Sequence, residues 1–175
     1  EDFMKMNSAT EGRDFVKQYD LIYIYHNRID KTGDDKTSEE RVFESVEDEL
    51  QFLMDMMKKI ANMNGNNMFI TSDHGFLYQH NTLDESDFSK SNHSGQIWKE
   101  NRRFVIGKEL VGDSSTLAFR GAQLNISSDV DILIPKSINR LRIKGAGTRF
   151  VHGGTLLQEI VIPMIKVSRK RQDTI

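Results

Sequence analysis

Apolar positions along this chain fall into runs of two different periods, separated by polar turns. The nearly continuous run Asp20-Leu21-Ile22-Tyr23-Ile24-Tyr25 predicts a strand covered on both faces. From Thr37 the period lengthens, and Val42, Phe43, Val46, Leu50, Leu53, Met54, Met57, Ile60 and Ala61 recur at helical spacing. Thr37 and Glu40 match a capping box at the start of that helix. Asn64-Gly65 is its expected stop, because glycine suits the left-handed position beyond a helix C-terminus. Met68-Phe69-Ile70-Thr71 then reads as a second short buried strand, ending in Ser72-Asp73-His74-Gly75. Strand, long helix, strand is a βαβ unit and predicts a parallel sheet with a right-handed crossover.

The flanking regions are less regular. The first fifteen or so residues lack clear periodicity, and residues 80 to 100 are polar enough to read as a surface loop or insertion. Strands are predicted at Arg103 to Gly107, Thr116 to Phe119 and Val130 to Pro135, and Leu141-Arg142-Ile143 alternates into the turn Lys144-Gly145-Ala146-Gly147. A helical turn around Leu156 to Glu159 and a strand through Val161 to Ile165 close the pattern. The expected fold class is α/β, a mostly parallel sheet flanked by helices.

Composition narrows the setting. With 37% hydrophobic and 29% charged residues, Pro 2 and Gly 12, the 175-residue chain has the make-up of a core-forming globular protein. Its length fits one domain or a piece cut from a larger fold, and the start at Glu1-Asp2-Phe3, neither a signal peptide nor an initiator, favours the piece. A formal net charge of -2 gives no global basic field, so affinity for nucleic acid would need a local patch or bound metal. Cys 0 excludes disulfides and thiolate metal sites, leaves imidazoles and carboxylates as the strong ligands, and is compatible with a cytoplasmic location. No apolar run approaches the roughly 20 residues that span a bilayer, so no membrane partner is expected.

In an open parallel sheet, ligands bind beyond the carboxyl ends of the strands. Polar residues follow the expected strands at Asp30 and Asp34, at Asp73 and His74, and, shortly before the last strand, at His152. Each has a plainer reading: Asp30, Asp34 and Asp35 as a solvated acidic turn, Asp73 as a cap, His152 as a surface residue before two glycines. Taken together they supply oxygen and nitrogen ligands for two adjacent divalent ions, a set suited to Zn or Mn better than to Ca. Two such ions can hold both the attacking and the leaving oxygen of a phosphoryl transfer. The basic residues Arg102, Arg103, Arg120, Lys136, Arg140, Arg142, Lys144 and Arg149 read either as an ordinary solvated face or as a platform for a phosphate-rich substrate, with Arg149 the favoured single contact.

Tyr25-His26-Asn27-Arg28-Ile29-Asp30 with Gly33-Asp34, Thr71-Ser72-Asp73-His74-Gly75-Phe76, and Phe150-Val151-His152-Gly153-Gly154 with Gln158-Glu159 and Ile162-Pro163 together resemble the PglZ domain, colinearly from about Tyr19 to Val167. That resemblance implies the alkaline phosphatase superfamily, with a two-metal centre and the C-terminal part of one domain over residues 1 to 175. It implies that Asp30 and His152 hold one metal, and that Asp73 and His74 hold the other. Asp34 falls where many superfamily members place a His, and His26, four residues before Asp30, is a second candidate. The superfamily's Thr or Ser nucleophile and one further Asp ligand lie on an earlier strand, and Ser8-Ala9-Thr10 offers no equivalent. The implied function is a metal-dependent phosphoesterase of the BREX and Pgl phage-defence setting. Its expected partners are a phosphate-ester substrate, including nucleic acid, and other defence proteins. A non-catalytic scaffold with the same fold is the alternative.

Overall fold

A computed structural model describes residues 2–90, 92–145 and 147–170. The chain divides into two compact units: one comprises the residues up to Asp30, Phe43–Ser72 and those from Pro163 on, the other Lys31–Val42 and Asp73–Ile162.

The first unit holds helices α1 (Asp2–Lys5) and α2 (Glu11–Lys17), the start of α3 (Arg28–Asp34), nearly all of α4 (Val42–Asn62), and strands β1 (Asn67–Thr71) and β10 (Met164–Ser168). The long apolar stripe makes α4 the secure element the pattern predicts, but its start differs. Thr37 gives both its N–H and its hydroxyl to Asp35 Oδ1, at 2.8 and 2.7 Å, so the capping box does not form. A single 3-10 turn, Glu39–Arg41, leads into α4 instead. The stop falls at the expected place, with Asn64 rather than Gly65 in the left-handed region (φ 68). Gly65 donates to the Ile60 carbonyl at 2.9 Å, and a Cβ there would collide with the Ile60 side chain. At the same end of α4, Gly12 of α2 lies against Met63, where a Cβ would come within 2.5 Å of the Met63 methyl.

The strand expected at Asp20 to Tyr25 is absent. Residues 21–27 carry no regular structure, and Tyr23 and Tyr25 are 74% and 92% exposed, their rings stacked at 6.5 Å. A strand is a paired state, and among the described residues no backbone pairs with this run. The βαβ unit therefore does not form. β1 pairs antiparallel with β10, Asn67 opposite Ser168 and Thr71 opposite Met164.

The second unit is built on β4 (Ser94–Asn101), β5 (Phe104–Val111), β6 (Thr116–Arg120) and β7 (Asp131–Pro135), ordered β4-β5-β7-β6 with every neighbour antiparallel. This overturns the mostly parallel expectation, and the connections explain it. β4 and β5 are joined by Arg102 and Arg103 alone, and a parallel pair would need a crossover of about a dozen residues. Val105, Leu110, Leu133 and Leu141 form the core, with Ile143 packed against it. Asp131, the first residue of β7, accepts the Leu110 N–H at 3.0 Å and pairs with Arg120.

Two further ladders complete the unit: β2 (Leu77–Tyr78) antiparallel with β9 (Phe150–Val151), and β3 (Phe88–Ser89) parallel with β8 (Arg140–Leu141). Helix α5 (Leu157–Ile160) is the helical turn predicted near the end. Within the 80–100 stretch the chain forms a 3-10 turn at Glu85–Asp87, β3 and most of β4, while residue 91 lies outside the described residues. Ala146 of the 144–147 turn also lies outside them.

Candidate metal centre

Three pieces of the second unit meet: the last residue of α3, the loop after β1 and the residue after β9. Gly33 lies against the Phe150 ring so closely that a Cβ would collide with it. That contact seats the end of α3 on β9. The next residue, Asp34, then brings Oδ1 to 3.4 Å from His152 Nε2. On the other side, Gly75 donates its N–H to the Glu159 carbonyl at 2.9 Å, and a Cβ at Gly75 would strike the Gln158 carbonyl oxygen. A backbone oxygen cannot swing aside, so only glycine permits this approach, and it fixes His74 beside His152. The two imidazoles stack with centroids 4.2 Å apart and planes within 7°.

His74 Nδ1 is 3.0 Å from the Gly75 carbonyl oxygen. With Nδ1–H donating there, Nε2 keeps its lone pair and is left able to bind a cation. Asp73 Oδ1 accepts the His74 N–H at 3.0 Å and stands 3.9 Å from His74 Nε2, with the carboxylate 90% exposed. The Asp34 to His152 spacing suits a shared cation, since two donors about 2.0–2.1 Å from a tetrahedral zinc lie roughly 3.4 Å apart. The donor set of imidazole nitrogen and carboxylate oxygen fits Zn or Mn in chemistry as well. Beside it opens a cavity of about 160 Å³ lined by Asp34, Asn101, Arg102, Phe150 and His152, among others.

The His152 loop is held by a buried ion pair. Arg103, 1% exposed, bonds both Glu159 oxygens at 2.8 and 2.9 Å and also donates to the carbonyls of Ser137 and Asn139. Glu159 in turn accepts the N–H groups of Gly154 and Leu156, at 2.9 and 3.2 Å. Burial by itself would raise the Glu159 carboxyl, but the hydrogen bonds and charge of Arg103 and the two N–H donors outweigh it and hold the carboxyl below its ordinary value. Gly153, at φ 94, turns the chain between His152 and this clamp, and Asn101 Nδ2 donates to the His152 carbonyl at 3.5 Å.

Of the residues singled out in the sequence, Asp34, Asp73, His74 and His152 are together in this unit. Asp30 is half-buried one helical turn before Asp34 on α3 and belongs to the first unit. His26, also of the first unit, has Nε2 2.7 Å from Glu49 and stacks on Phe52. Arg149 pairs with Glu40 at 2.9 Å. The basic residues are not one solvated face: Arg102, Arg103 and Arg140 are buried and donate to backbone carbonyls, whereas Arg120, paired with Asp131, Arg142, paired with Glu85, Lys136, donating to the Ser114 carbonyl, and Lys144 are exposed. Arg103 and Glu159 were not legible as site-builders, because nothing in their spacing says that they meet.

This mixed α/β arrangement, with a candidate histidine and carboxylate cluster, is consistent with an alkaline-phosphatase-like domain. Residues 1–167 match the family described as BREX system PglZ alkaline phosphatase-like domain, and the chain belongs to that family. It is 38% identical over 164 residues to the alkaline phosphatase-like protein BrxZ of Escherichia coli O9:H4 (strain HS), covering 90% of this chain and 18% of that protein. It is 36% identical over 172 residues to the alkaline phosphatase-like protein PglZ of Bacillus cereus (strain H3081.97), covering 97% of this chain and 20% of that protein. The chain thus spans about a fifth of the length of these curated relatives. Among the described residues no helix is long and apolar enough to cross a membrane.

Proposed function

We propose that Asp34, Asp73, His74 and His152 hold divalent metal, zinc or manganese, and that the protein carrying this chain is a metal-dependent phosphoesterase. The family resemblance adds Asp30 as a further ligand and two ions as the full complement. The observation that carries the reading is the convergence of a carboxylate and two stacked imidazoles, with Asp34 3.4 Å from His152. When bound, the metals would polarise a phosphoryl oxygen and lower the pKa of a nucleophile. The chain's own residues would orient the donors: Gly75 through its carbonyl on His74 Nδ1, and the Arg103 and Glu159 pair through the backbone after His152. The small cavity beside His152 is large enough for a phosphoryl group, and the family description supports a phage-defence setting with other defence proteins as partners. Phosphate esters, nucleic acid among them, are the proposed substrate class.

The test is metal analysis of the protein and of its Asp73→Ala, His74→Ala double variant, with hydrolysis of a generic phosphodiester and a phosphomonoester. Loss of both metal and turnover in the variant is the expected result. Unchanged metal content and turnover would defeat this reading and leave the non-catalytic scaffold, which the internal pairing of the arginines would then favour.

A further inference from the structure

Glu39 is a buried carboxylate, 5% exposed, that the metal reading does not use. Its Oε2 accepts the backbone N–H groups of Thr148 and Arg149 at 2.9 Å each, and that of Phe150 at 3.5 Å. Three consecutive N–H groups converge on one oxygen, and the third belongs to β9, the strand that ends immediately before His152. Burying a carboxylate costs several kcal/mol unless charge-assisted hydrogen bonds offset it. This nest of N–H donors is such an offset, and it fastens Glu39 to one particular backbone segment.

The other end of the connection leads to Asp34. Glu39 donates its own N–H to the Asp35 carbonyl at 2.9 Å, and Ser38 Oγ donates to the Thr32 carbonyl at 2.8 Å, so the turn bearing Glu39 is tied back to α3. Gly33 on Phe150 closes the same loop a few residues away. Gly147 leaves just enough room: a Cβ there would come within 2.7 Å of Glu39 Oε2. The two groups that form the Asp34 and His152 pair are therefore carried by segments that one carboxylate bolts together.

We infer that Glu39 is a positioning residue of the candidate metal centre, an anionic clamp that sets the Asp34 to His152 spacing by holding the N–H groups of residues 148–150. It touches neither metal nor substrate. The inference rests on the metal reading above and adds to it a determinant outside the ligand set.

The experiment titrates the full chain with Co²⁺ and follows the visible absorption bands that report ligand geometry. The unaltered protein is expected to bind Co²⁺, and His152→Ala to lose that binding. Glu39→Gln keeps the size of the side chain but loses the charge on the nest; it is expected to bind about 10- to 100-fold more weakly, the range for outer-shell partners, with altered bands. Gly147→Ala presses on the same Glu39 oxygen without changing its charge and is expected to weaken binding in the same direction, which keeps the test sound if Glu39→Gln does not fold. Unaltered affinity and bands in Glu39→Gln or in folded Gly147→Ala, beside a responsive His152→Ala, overturn the inference alone. No Co²⁺ binding by the unaltered protein, or full binding by His152→Ala, overturns the metal reading and the inference together.

Discussion

Asp34 Oδ1 lies 3.4 Å from His152 Nε2, although one residue ends a helix early in the chain and the other follows a short strand near its close. Nothing local draws them together. Glycine does so on both sides: Gly33 lets α3 rest on Phe150, and Gly75 lets the His74 loop rest on the Gln158 carbonyl.

His152→Ala and His74→Ala each remove a nitrogen donor from the cluster. Each is expected to lower divalent-metal affinity by more than about 100-fold, beyond the effect of outer-shell changes. Isothermal titration with Zn²⁺ checks this, and affinity unchanged in both variants would exclude them as ligands.

Arg103→Met leaves the Glu159 carboxylate buried without its cation. The expected cost is about 3–5 kcal/mol of stability, read by denaturant unfolding. Adding Glu159→Leu removes the stranded charge and should restore much of the loss, so the double variant is expected to be more stable than Arg103→Met alone.

Glu159 also predicts a pH dependence. Its carboxyl is held below the ordinary glutamate value, so the folded state binds that proton less readily than the unfolded chain. The stabilisation is therefore fully present above about pH 4.3, the unfolded value, and is lost as pH falls through the lower folded value. Unfolding free energies measured from pH 6 downward should fall less steeply in Glu159→Gln than in the unaltered protein.

Gly75→Ala places a methyl against the Gln158 carbonyl oxygen, which belongs to the backbone and cannot rotate away. A loss of about 1–3 kcal/mol is expected, with weaker metal binding from a displaced His74. Thermal unfolding and a Zn²⁺ titration of the same variant test both halves.

The curated relatives are about five times as long as this chain, and the resemblance puts the nucleophile and one further Asp ligand on an earlier strand. A longer protein containing that strand is expected to bind divalent metal more tightly than residues 1–175 alone. Equal affinities would refute the idea that ligands are missing here.

Periodicity made α4 legible, and Gly75 and His74 were readable as a turn bearing candidate ligands, because those signals are local. The sheet was not legible, because buried apolar runs such as Met68 to Thr71 do not state the direction of their partner; the Asn67 to Ser168 register had to come from the coordinates. Leu21 to Tyr25 misled for a related reason: β propensity describes a surface that pairs well, and a strand exists only when a partner is present. The site fared similarly. His152 and Asp73 stand out as candidates from residue type and neighbouring glycines, whereas Glu39 and Glu159 look like ordinary surface glutamates until their hydrogen bonds are seen.

The pairing of β1 with β10 has a further implication for how the molecule is made. Strand β1 emerges from the ribosome long before β10, and in between the chain supplies both members of every ladder of the second unit. Those ladders can close during synthesis, while β1 must wait with its edges open until Ser168 appears. The most hazardous interval for aggregation is therefore the stretch of synthesis between these two strands, when β1 still exposes Met68 and Ile70 without their mate.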